Sequence, residues 1–134
     1  DFINMDNAWM ERTQLLVGKK GLEKLIAADV LVVGLGGVGS YAAEAIARAG
    51  IGSMTIIDGD VVDPTNRNRQ LQALSSTHGQ SKALLLEQRI KDINPDINLT
   101  TIAEFQTPQM MKTTLEKSIV TLLMPLTVFL QNYI

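Results

Sequence analysis

Apolar residues recur along this chain in two patterns that alternate between residues 29 and 117. One is a short run rich in branched side chains, typical of strands in a parallel sheet, and it occurs at 29–33, 53–58 and 97–105. The other is a helical repeat of apolar positions, and it occurs at 38–52, 79–95 and 108–117. Strands that alternate with helices predict a parallel α/β sheet with right-handed crossovers.

The helical repeats also predict which side chains face the core. In a short helix at 19–28, before the first strand, these are Leu22, Leu25 and Ile26. In the next two helices they are Ala42, Ala45, Ile46, Ala49, Leu84, Leu85, Ile90 and Ile93. Thr107 followed by Pro108 predicts the N-cap and the first residue of the last helix.

The patterns divide the chain into three parts. Residues 1–28 form a polar arm and a short helix, residues 29–117 form the α/β domain, and residues 118–134 form a tail that contains no charged residue. The chain has 134 residues, 46% of them hydrophobic. A chain of this size and composition can bury one core, so we expect one domain.

Composition narrows the classes of function. The 12 basic and 14 acidic residues give a net charge of -2, which argues against a globally basic nucleic-acid binder but leaves room for a local basic site. The absence of cysteine excludes disulfides, thiolate zinc sites and a cysteine nucleophile, and it fits a reducing compartment. The first residues lack the pattern of a signal peptide. We therefore expect a cytoplasmic location.

A glycine-rich turn joins the first strand to the helix after it. Gly34, Gly36 and Gly39 form a G-x-G-x-x-G pattern, and Gly37 adds a fourth glycine. Such a turn lets the backbone approach a phosphate, which the N–H groups of the helix N-terminus then bind. Asp58 ends the second strand, about 20 residues after the last glycine, where a carboxylate can accept from ribose hydroxyls. A purely structural glycine turn is the alternative, but the combination favours a nucleotide site.

A cluster of charged and polar residues follows Asp58 closely, and Lys82 begins the next helix. The cluster consists of Asp60, Asp63, Asn66, Arg67, Asn68, Arg69 and Gln70. The guanidiniums of Arg67 and Arg69 and the ammonium of Lys82 supply more positive charge than a diphosphate at a helix terminus needs. This amount of charge suits a triphosphate or a leaving pyrophosphate. A dinucleotide-dependent dehydrogenase is therefore disfavoured. The other alternative is a solvated turn in which the arginines pair with Asp60 and Asp63.

These motifs together resemble the ThiF/MoeB/HesA superfamily, whose members are adenylating enzymes similar to ubiquitin-activating enzymes. The resemblance runs from Arg12 to Phe105, through GLGGVGS, DGD, NRNRQ and GQSK. The branch that the chain resembles most is that of the tRNA threonylcarbamoyladenosine dehydratases. The resemblance implies a Rossmann-like, three-layer fold with a mainly parallel sheet, truncated here after about the fourth strand.

The resemblance also implies ATP as cosubstrate, together with Mg²⁺, and it assigns roles to residues of the site. Asp58 would bind the ribose, and Asp60 would belong to the same site. The phosphates would lie along Gly34, Gly36, Gly37 and Gly39. The triphosphate would be contacted by Asn66, by the catalytic residues Arg69 and Lys82, and indirectly by Gln70. Arg12 would reach the nucleotide across a homodimer, and no side chain is assigned as a metal ligand.

The reaction implied by the resemblance is activation of a carboxylate by adenylation, with release of pyrophosphate. In the dehydratase branch the carboxylate belongs to a threonylcarbamoyl group on a tRNA adenosine, and the group then closes a ring on itself. A tRNA carrying that modification is the expected partner, and a sulfur-transfer protein is a further candidate. Because intramolecular capture needs no enzyme thiol, the lack of cysteine agrees with this branch.

Two other functions stay open at this point. One is an adenylyltransferase of the MoeB or ThiF type, which activates a ubiquitin-like sulfur carrier. The other is a nucleotide-binding module or remnant without catalytic activity. The chain has about half of the family's usual length, so we expect residues 1–134 alone to bind ATP weakly at most and not to complete the reaction.

The uncharged tail departs from the family, which has an Asp-bearing loop resembling YVIDAIDSV at this position. The segment is shorter than the ~20 apolar residues of a membrane span and is interrupted by Pro125, Gln131 and Asn132, so we expect no membrane anchor. Residues 119–124 are nevertheless suited to a buried fourth strand.

A shifted reading frame offers one explanation of the tail. Read one base earlier, the codons of Met124 and Pro125 must yield alanine, and the neighbouring codons allow the rest of YVIDAIDSV. We hypothesise that a single base was lost near Lys117 or Ser118. Sequencing of the coding DNA tests this hypothesis, which is wrong if one added base restores no long frame with an Asp-bearing loop.

Overall fold

A computed structural model describes residues 5–116 and 121–123, which form a four-stranded parallel sheet with flanking helices. The strands are β1 (Asp29–Val33), β2 (Ser53–Ile57), β3 (Asn98–Ile102) and β4 (Thr121–Leu123). The helices are α1 (Glu11–Ala27), α2 (Gly39–Arg48), α3 (Lys82–Ile93) and α4 (Pro108–Glu116). Two 3₁₀ turns, Met5–Met10 and Pro64–Asn66, complete the regular structure of the described residues. The predicted α/β alternation is confirmed.

The strand order of the sheet is β3-β2-β1-β4, and every pair is parallel. The chain therefore builds outward from β1 to β3 and then returns to the other side of β1. Residues 121–123 of the predicted fourth strand do pair with β1. The rest of the tail, at 118–120 and 124–134, lies outside the described residues, and so does Lys117. The hypothesis of a base lost near Lys117 or Ser118 therefore concerns residues that the structure does not describe.

The core lies on both faces of β1, because alternate side chains of a strand point to opposite faces. One face of the sheet packs Val30 and Val32 against α2 and α3 through Ala43, Ala47, Leu86 and Ile90. The other face packs Leu31, Val33 and Ile57 against Met111 of α4. Helices on the two faces of one sheet make three layers. Each fully buried Val or Leu contributes about 1.5–3 kcal/mol relative to an exposed one.

The predicted facing of two helices was partly wrong. In α2 the buried apolar residues are Ala43 and Ala47, whereas the sequence pattern predicted the neighbouring positions Ala42, Ala45, Ile46 and Ala49. In α3 the buried apolar residues are Ala83, Leu86 and Ile90, while Leu84 is 50% exposed. Both helices are apolar over more than one stripe, so the sequence alone cannot choose between stripes. The way each helix lies on the sheet makes the choice.

The segment before β1 is more helical than the sequence pattern predicted. The expected polar arm is already helical from Glu11, and α1 bends at Gly18, where the predicted helix was to begin. Gly18 has φ of 76°, a left-handed conformation that costs little only for glycine. Among the described residues, no helix is long and apolar enough to cross a bilayer.

Glu44 connects two helices of the same layer. Its carboxylate accepts from Arg89 Nη2 of α3 at 3.2 Å and from Arg48 Nε of its own helix at 2.9 Å. The hydrogen bond from Arg89, followed by that from Arg48, holds the pKa of Glu44 below its ordinary value, although burial opposes the shift. The same pairing raises the pKa of Arg89.

The lowered pKa of Glu44 predicts a dependence of stability on pH. A carboxyl whose pKa falls on folding stabilises the protein above its unfolded-state pKa and loses that contribution as pH falls through the folded-state value. Between pH 6 and pH 3, the free energy of unfolding should therefore fall by about 0.5–1 kcal/mol more in wild type than in Glu44→Gln. The difference is modest because both arginines are exposed to solvent. Urea unfolding at several pH values measures the difference, and parallel curves for the two proteins would contradict it.

Candidate functional site

The candidate site lies at the carboxyl edge of the sheet, where β1 and β2 end side by side. The glycine turn follows β1 and Asp58 follows β2, and the two strands are in register from Asp29 and Ser53 to Val33 and Ile57. Because β4 lies on the other side of β1, the chain order of the sheet reverses here. Open parallel sheets bind their ligands in the crevice at such a reversal.

The glycine turn leaves a row of backbone donors without partners. Gly34 has φ of 84° and turns the chain away from β1. No hydrogen bond within the described residues takes up the N–H groups of Gly36, Gly37, Val38 or Gly39. These groups lie at the N-terminus of α2. The partial positive charge of a helix N-terminus attracts anions. The turn is thus built to receive an anion such as phosphate.

The described residues around Gly36 and Gly37 leave room for a Cβ atom, so packing within the protein does not require glycine at either position. A Cβ at Gly36 would have Gln70 Nε2 as its nearest neighbour at 3.6 Å, and a Cβ at Gly37 would lie 3.5 Å from Arg69 Cγ. Both distances are ordinary contacts, and neither residue has a left-handed backbone. Close approach of a ligand therefore explains these two glycines better than the fold does.

Asp58 does more than the sequence suggested. One carboxylate oxygen, Oδ2, accepts from the Leu35 N–H at 2.7 Å, and the other, Oδ1, accepts from the Asp60 N–H at 2.7 Å. The carboxylate thereby ties the glycine turn to the segment after β2. Each oxygen has two lone pairs, so Asp58 retains acceptor capacity for the predicted ribose hydroxyls.

Lys82 is an almost buried cation with few partners. Its side chain is 8% exposed, and its Nζ lies 3.8 Å from Asp60 Oδ2. The Nζ forms no hydrogen bond within the described part of the chain. The three donors of this ammonium are therefore available to an acceptor that a ligand would bring. Asp60 also accepts through its backbone oxygen from the Lys82 N–H at 3.1 Å, which fixes the start of α3 beside Asp58.

The structure brings Arg69 to the glycine turn, where its aliphatic carbons lie against Gly37. Its Nη1 donates to Thr65 O at 3.1 Å and to Asn68 Oδ1 at 2.9 Å. Neither Arg67 nor Arg69 pairs with a carboxylate among the described residues. The arginine pairs with Asp60 and Asp63 that the alternative of a solvated turn assumed are therefore not formed.

Asn66 and Asp63 shape the turn that carries Arg69. The Asn66 Oδ1 accepts from the Asp63 N–H at 2.9 Å, and the Asp63 Oδ1 accepts from the hydroxyl and N–H of Thr65. The hydroxyl of Thr65 and then its N–H lower the pKa of Asp63. Asn66 is buried, at 8% exposed. Its side chain thus organises the turn, and its predicted contact with a triphosphate stays a prediction.

Arg12 and Gln70 were also predicted to belong to the site. Arg12 is exposed in the first turn of α1 and forms no hydrogen bond or ion pair within the described chain. Gln70 is buried next to Gly36, and its Oε1 has no hydrogen-bond partner. Residues 5–116 and 121–123 contain no group of three or more His, Cys, Asp or Glu side chains suited to a metal ion.

The sequence did not point to two polar residues that the structure adds to the turn. Ser40 Oγ donates to Gly36 O at 2.5 Å, and Gln72 Nε2 donates to Leu35 O at 2.7 Å. Both side chains are buried, at 0% and 6% exposed. Ser40 directly follows the last glycine, which was an available signal. Gln72 follows Gln70 by two positions, and only its burial distinguishes it from a surface residue.

Comparison with known proteins is consistent with this geometry. Residues 10–124 match the model of the ThiF family. The chain is 51% identical over 98 residues to the tRNA threonylcarbamoyladenosine dehydratase of Bacillus subtilis, covering 73% of this chain and 39% of that protein. It is 36% identical over 92 residues to the sulfur carrier protein ThiS adenylyltransferase of Escherichia coli, covering 69% of this chain and 37% of that one.

A solved relative has the same fold. The crystal structure of Escherichia coli tRNA N6-threonylcarbamoyladenosine dehydratase, TcdA, in complex with ATP superposes with a TM-score of 0.80. The two sequences are 41% identical, and the match covers 90% of this chain and 51% of the solved one. The chain therefore spans about two fifths to one half of the length of the relatives it matches.

Proposed function

The chain belongs to the ThiF family, and on that basis we propose that it carries the ATP site of a tRNA threonylcarbamoyladenosine dehydratase. The observation that supports ATP most directly is local. Four backbone N–H groups that have no partner among the described residues lie at the glycine turn. Asp58 links this turn, through Asp60, to the nearly buried side chain of Lys82. Donors and a cation of this kind would stabilise a triphosphate and the charge on a leaving pyrophosphate.

In this proposal each residue has a defined task. The N–H groups of the turn bind phosphate oxygens, and Asp58 accepts from the ribose. Arg69 and Lys82 bind the two phosphoryl groups that leave. Gln70 and Asn66 support the turn that carries Arg69. Mg²⁺ would travel with the triphosphate, since this ion keeps several waters and is bound mainly by substrate phosphates.

The proposed reaction begins when an oxygen of the threonylcarbamoyl carboxylate attacks the α-phosphorus of ATP. The new oxygen–phosphorus bond forms as the bond to the β-phosphate bridging oxygen breaks, so pyrophosphate leaves with the bonding electrons. A nucleophilic group of the same modification then attacks the activated carboxyl carbon and loses its proton. The new bond closes a ring as the carbon–oxygen bond to AMP breaks, and AMP leaves with the bonding electrons. Arg12 of a second copy would complete the site in a homodimer, and the tRNA substrate would place the protein in the cytoplasm.

Titration calorimetry with ATP and with NAD⁺ tests the nucleotide class. We expect ATP to bind with Kd in the high micromolar range or weaker, and NAD⁺ to show no heat at the same concentration. Binding of NAD⁺ in preference to ATP would overturn the proposal and favour a dehydrogenase.

Pyrophosphate exchange into ATP tests the substrate class. We expect exchange to rise with tRNA that carries threonylcarbamoyladenosine and to stay at background with the same tRNA lacking it. Stimulation by a sulfur carrier protein instead would favour the alternative supported by the similarity to the ThiS adenylyltransferase. ATP binding without any exchange would indicate a nucleotide-binding remnant.

A further inference from the structure

Buried side chains hold two consecutive carbonyl groups of the glycine turn. Gln72 Nε2 donates to the Leu35 carbonyl at 2.7 Å, and Ser40 Oγ donates to the Gly36 carbonyl at 2.5 Å. The Leu71 N–H in turn donates to Ser40 Oγ at 3.4 Å. The Leu35 carbonyl therefore faces the segment that follows Gln70. The Gly36 carbonyl also accepts from the backbone N–H of Ser40 at 3.1 Å, so it faces the first turn of α2.

The direction of a carbonyl fixes the direction of the next N–H group. In a planar trans peptide the C=O bond and the following N–H bond point in opposite directions, and the described chain contains no cis peptide. The Leu35 carbonyl shares its peptide with the Gly36 N–H, and the Gly36 carbonyl shares its peptide with the Gly37 N–H. Gln72 thus turns the unpartnered Gly36 N–H away from itself. The direction of the Gly37 N–H is already fixed by the backbone bond between the Ser40 N–H and the Gly36 carbonyl.

We propose that Gln72 is a positioning residue that aims the Gly36 N–H at a phosphate oxygen of the bound nucleotide. This inference rests on the proposed ATP site and adds one residue that does not touch the ligand. Without the Gln72 donor, the peptide plane between Leu35 and Gly36 can rotate and present its carbonyl oxygen to the phosphate. An oxygen facing an anion repels it, whereas an N–H group attracts it.

A purely structural role explains Gln72 poorly. Its Nε2 is used, but its Oε1 is buried without a partner, and a buried acceptor in that state destabilises the fold. Gln72→Met keeps a similar volume, removes that oxygen and leaves the Leu35 carbonyl without a donor. One unsatisfied buried oxygen replaces another, so the free energy of unfolding should change little while the direction of the Gly36 N–H is no longer fixed.

The test uses the full chain labelled with ¹⁵N, in wild type, Gln72→Met and the matched control Gln88→Met. Gln88 is an exposed glutamine of α3 without a bond to the turn. Residual dipolar couplings report the direction of the Gly36 N–H, NMR titrations give affinities for ATP and adenosine, and urea unfolding gives stability. In Gln72→Met we expect an altered dipolar coupling of the Gly36 N–H and roughly tenfold weaker ATP binding. A tenfold loss of affinity is what removal of one hydrogen bond to a charged group produces.

Adenosine separates positioning from general damage, because it has no phosphate to reach the turn. We expect the affinity for adenosine to be the same in all three proteins, and Gln72→His, which keeps an N–H donor, to restore most of the affinity for ATP. An unchanged Gly36 coupling, unchanged ATP binding, or equal losses for ATP and adenosine would each overturn the inference. Failure of wild type to bind ATP would instead defeat the proposed function, and the Gly36 coupling would still decide whether Gln72 orients the peptide.

Discussion

Lys82→Met should weaken ATP binding by about 30-fold, equivalent to roughly 2 kcal/mol. The side chain of Lys82 is 8% exposed, and its ammonium has one partner in the described chain, Asp60, at 3.8 Å. Its donors are therefore available to a phosphate, and a poorly solvated site makes a charged hydrogen bond stronger than in water. Methionine has a similar length and no charge, so it removes the donors and keeps the packing. Titration calorimetry of the full chain measures the change.

The stability of the same variant shows whether the loss is specific. Asp60 is 54% exposed at its side chain, so water can solvate its carboxylate once the ammonium is gone, and we expect unfolding free energy to change by less than about 1 kcal/mol. Lys91→Met is the matched control, because Lys91 pairs with Glu87 one turn earlier on α3 and should leave ATP affinity unchanged. Equal ATP affinity in wild type and Lys82→Met would remove Lys82 from the site.

Gly52→Ala should destabilise the fold by at least about 3 kcal/mol, as large effects of steric overlap in a packed interior do. A Cβ at Gly52 would lie 1.7 Å from the Ile26 carbonyl oxygen and 2.7 Å from its carbonyl carbon. The backbone cannot move aside easily, since the Gly52 N–H donates to Leu25 O and the Gly52 carbonyl accepts from the Asn98 N–H. Urea unfolding at constant m-value measures the loss.

Gly36→Ala is the contrasting variant. Its Cβ would meet only ordinary contacts, so we expect stability within about 1 kcal/mol of wild type together with weaker ATP binding. The two substitutions thus distinguish a glycine that the fold requires from one that the ligand requires. Wild-type stability in Gly52→Ala would show that the end of α1 does not approach the start of β2 as closely as described.

Much of this protein followed from its sequence. From β1 onward the strands and helices lie where the apolar patterns predicted them, because strand and helix periods are local properties of the chain. α4 begins at Pro108, and Thr107 Oγ1 accepts from the Met110 N–H at 3.2 Å, as the cap residues predicted. The glycine turn and Asp58 adjoin each other for a related reason. Each follows a strand directly, and parallel neighbours end at the same edge of the sheet.

The sequence could not reveal which partner each polar residue takes. Asp60 was expected to pair with an arginine if the turn was merely solvated, but it pairs with Lys82 from the start of α3. No pattern in the sequence pointed to Gln72, yet it is buried, and its Nε2 donates to the carbonyl of Leu35, 37 positions away. The sequence pattern of α2 likewise did not determine which of its side chains are buried against the sheet.

The sequence by itself therefore determined the order of the elements, the glycine turn and the acid at the end of β2, since each depends on residues close together in the chain. Only the tertiary structure decided which helix face is buried, which cation lies next to Asp60 and which side chains orient the glycine turn. Burial and hydrogen bonding depend on groups that folding brings together from distant positions, and no local pattern encodes them.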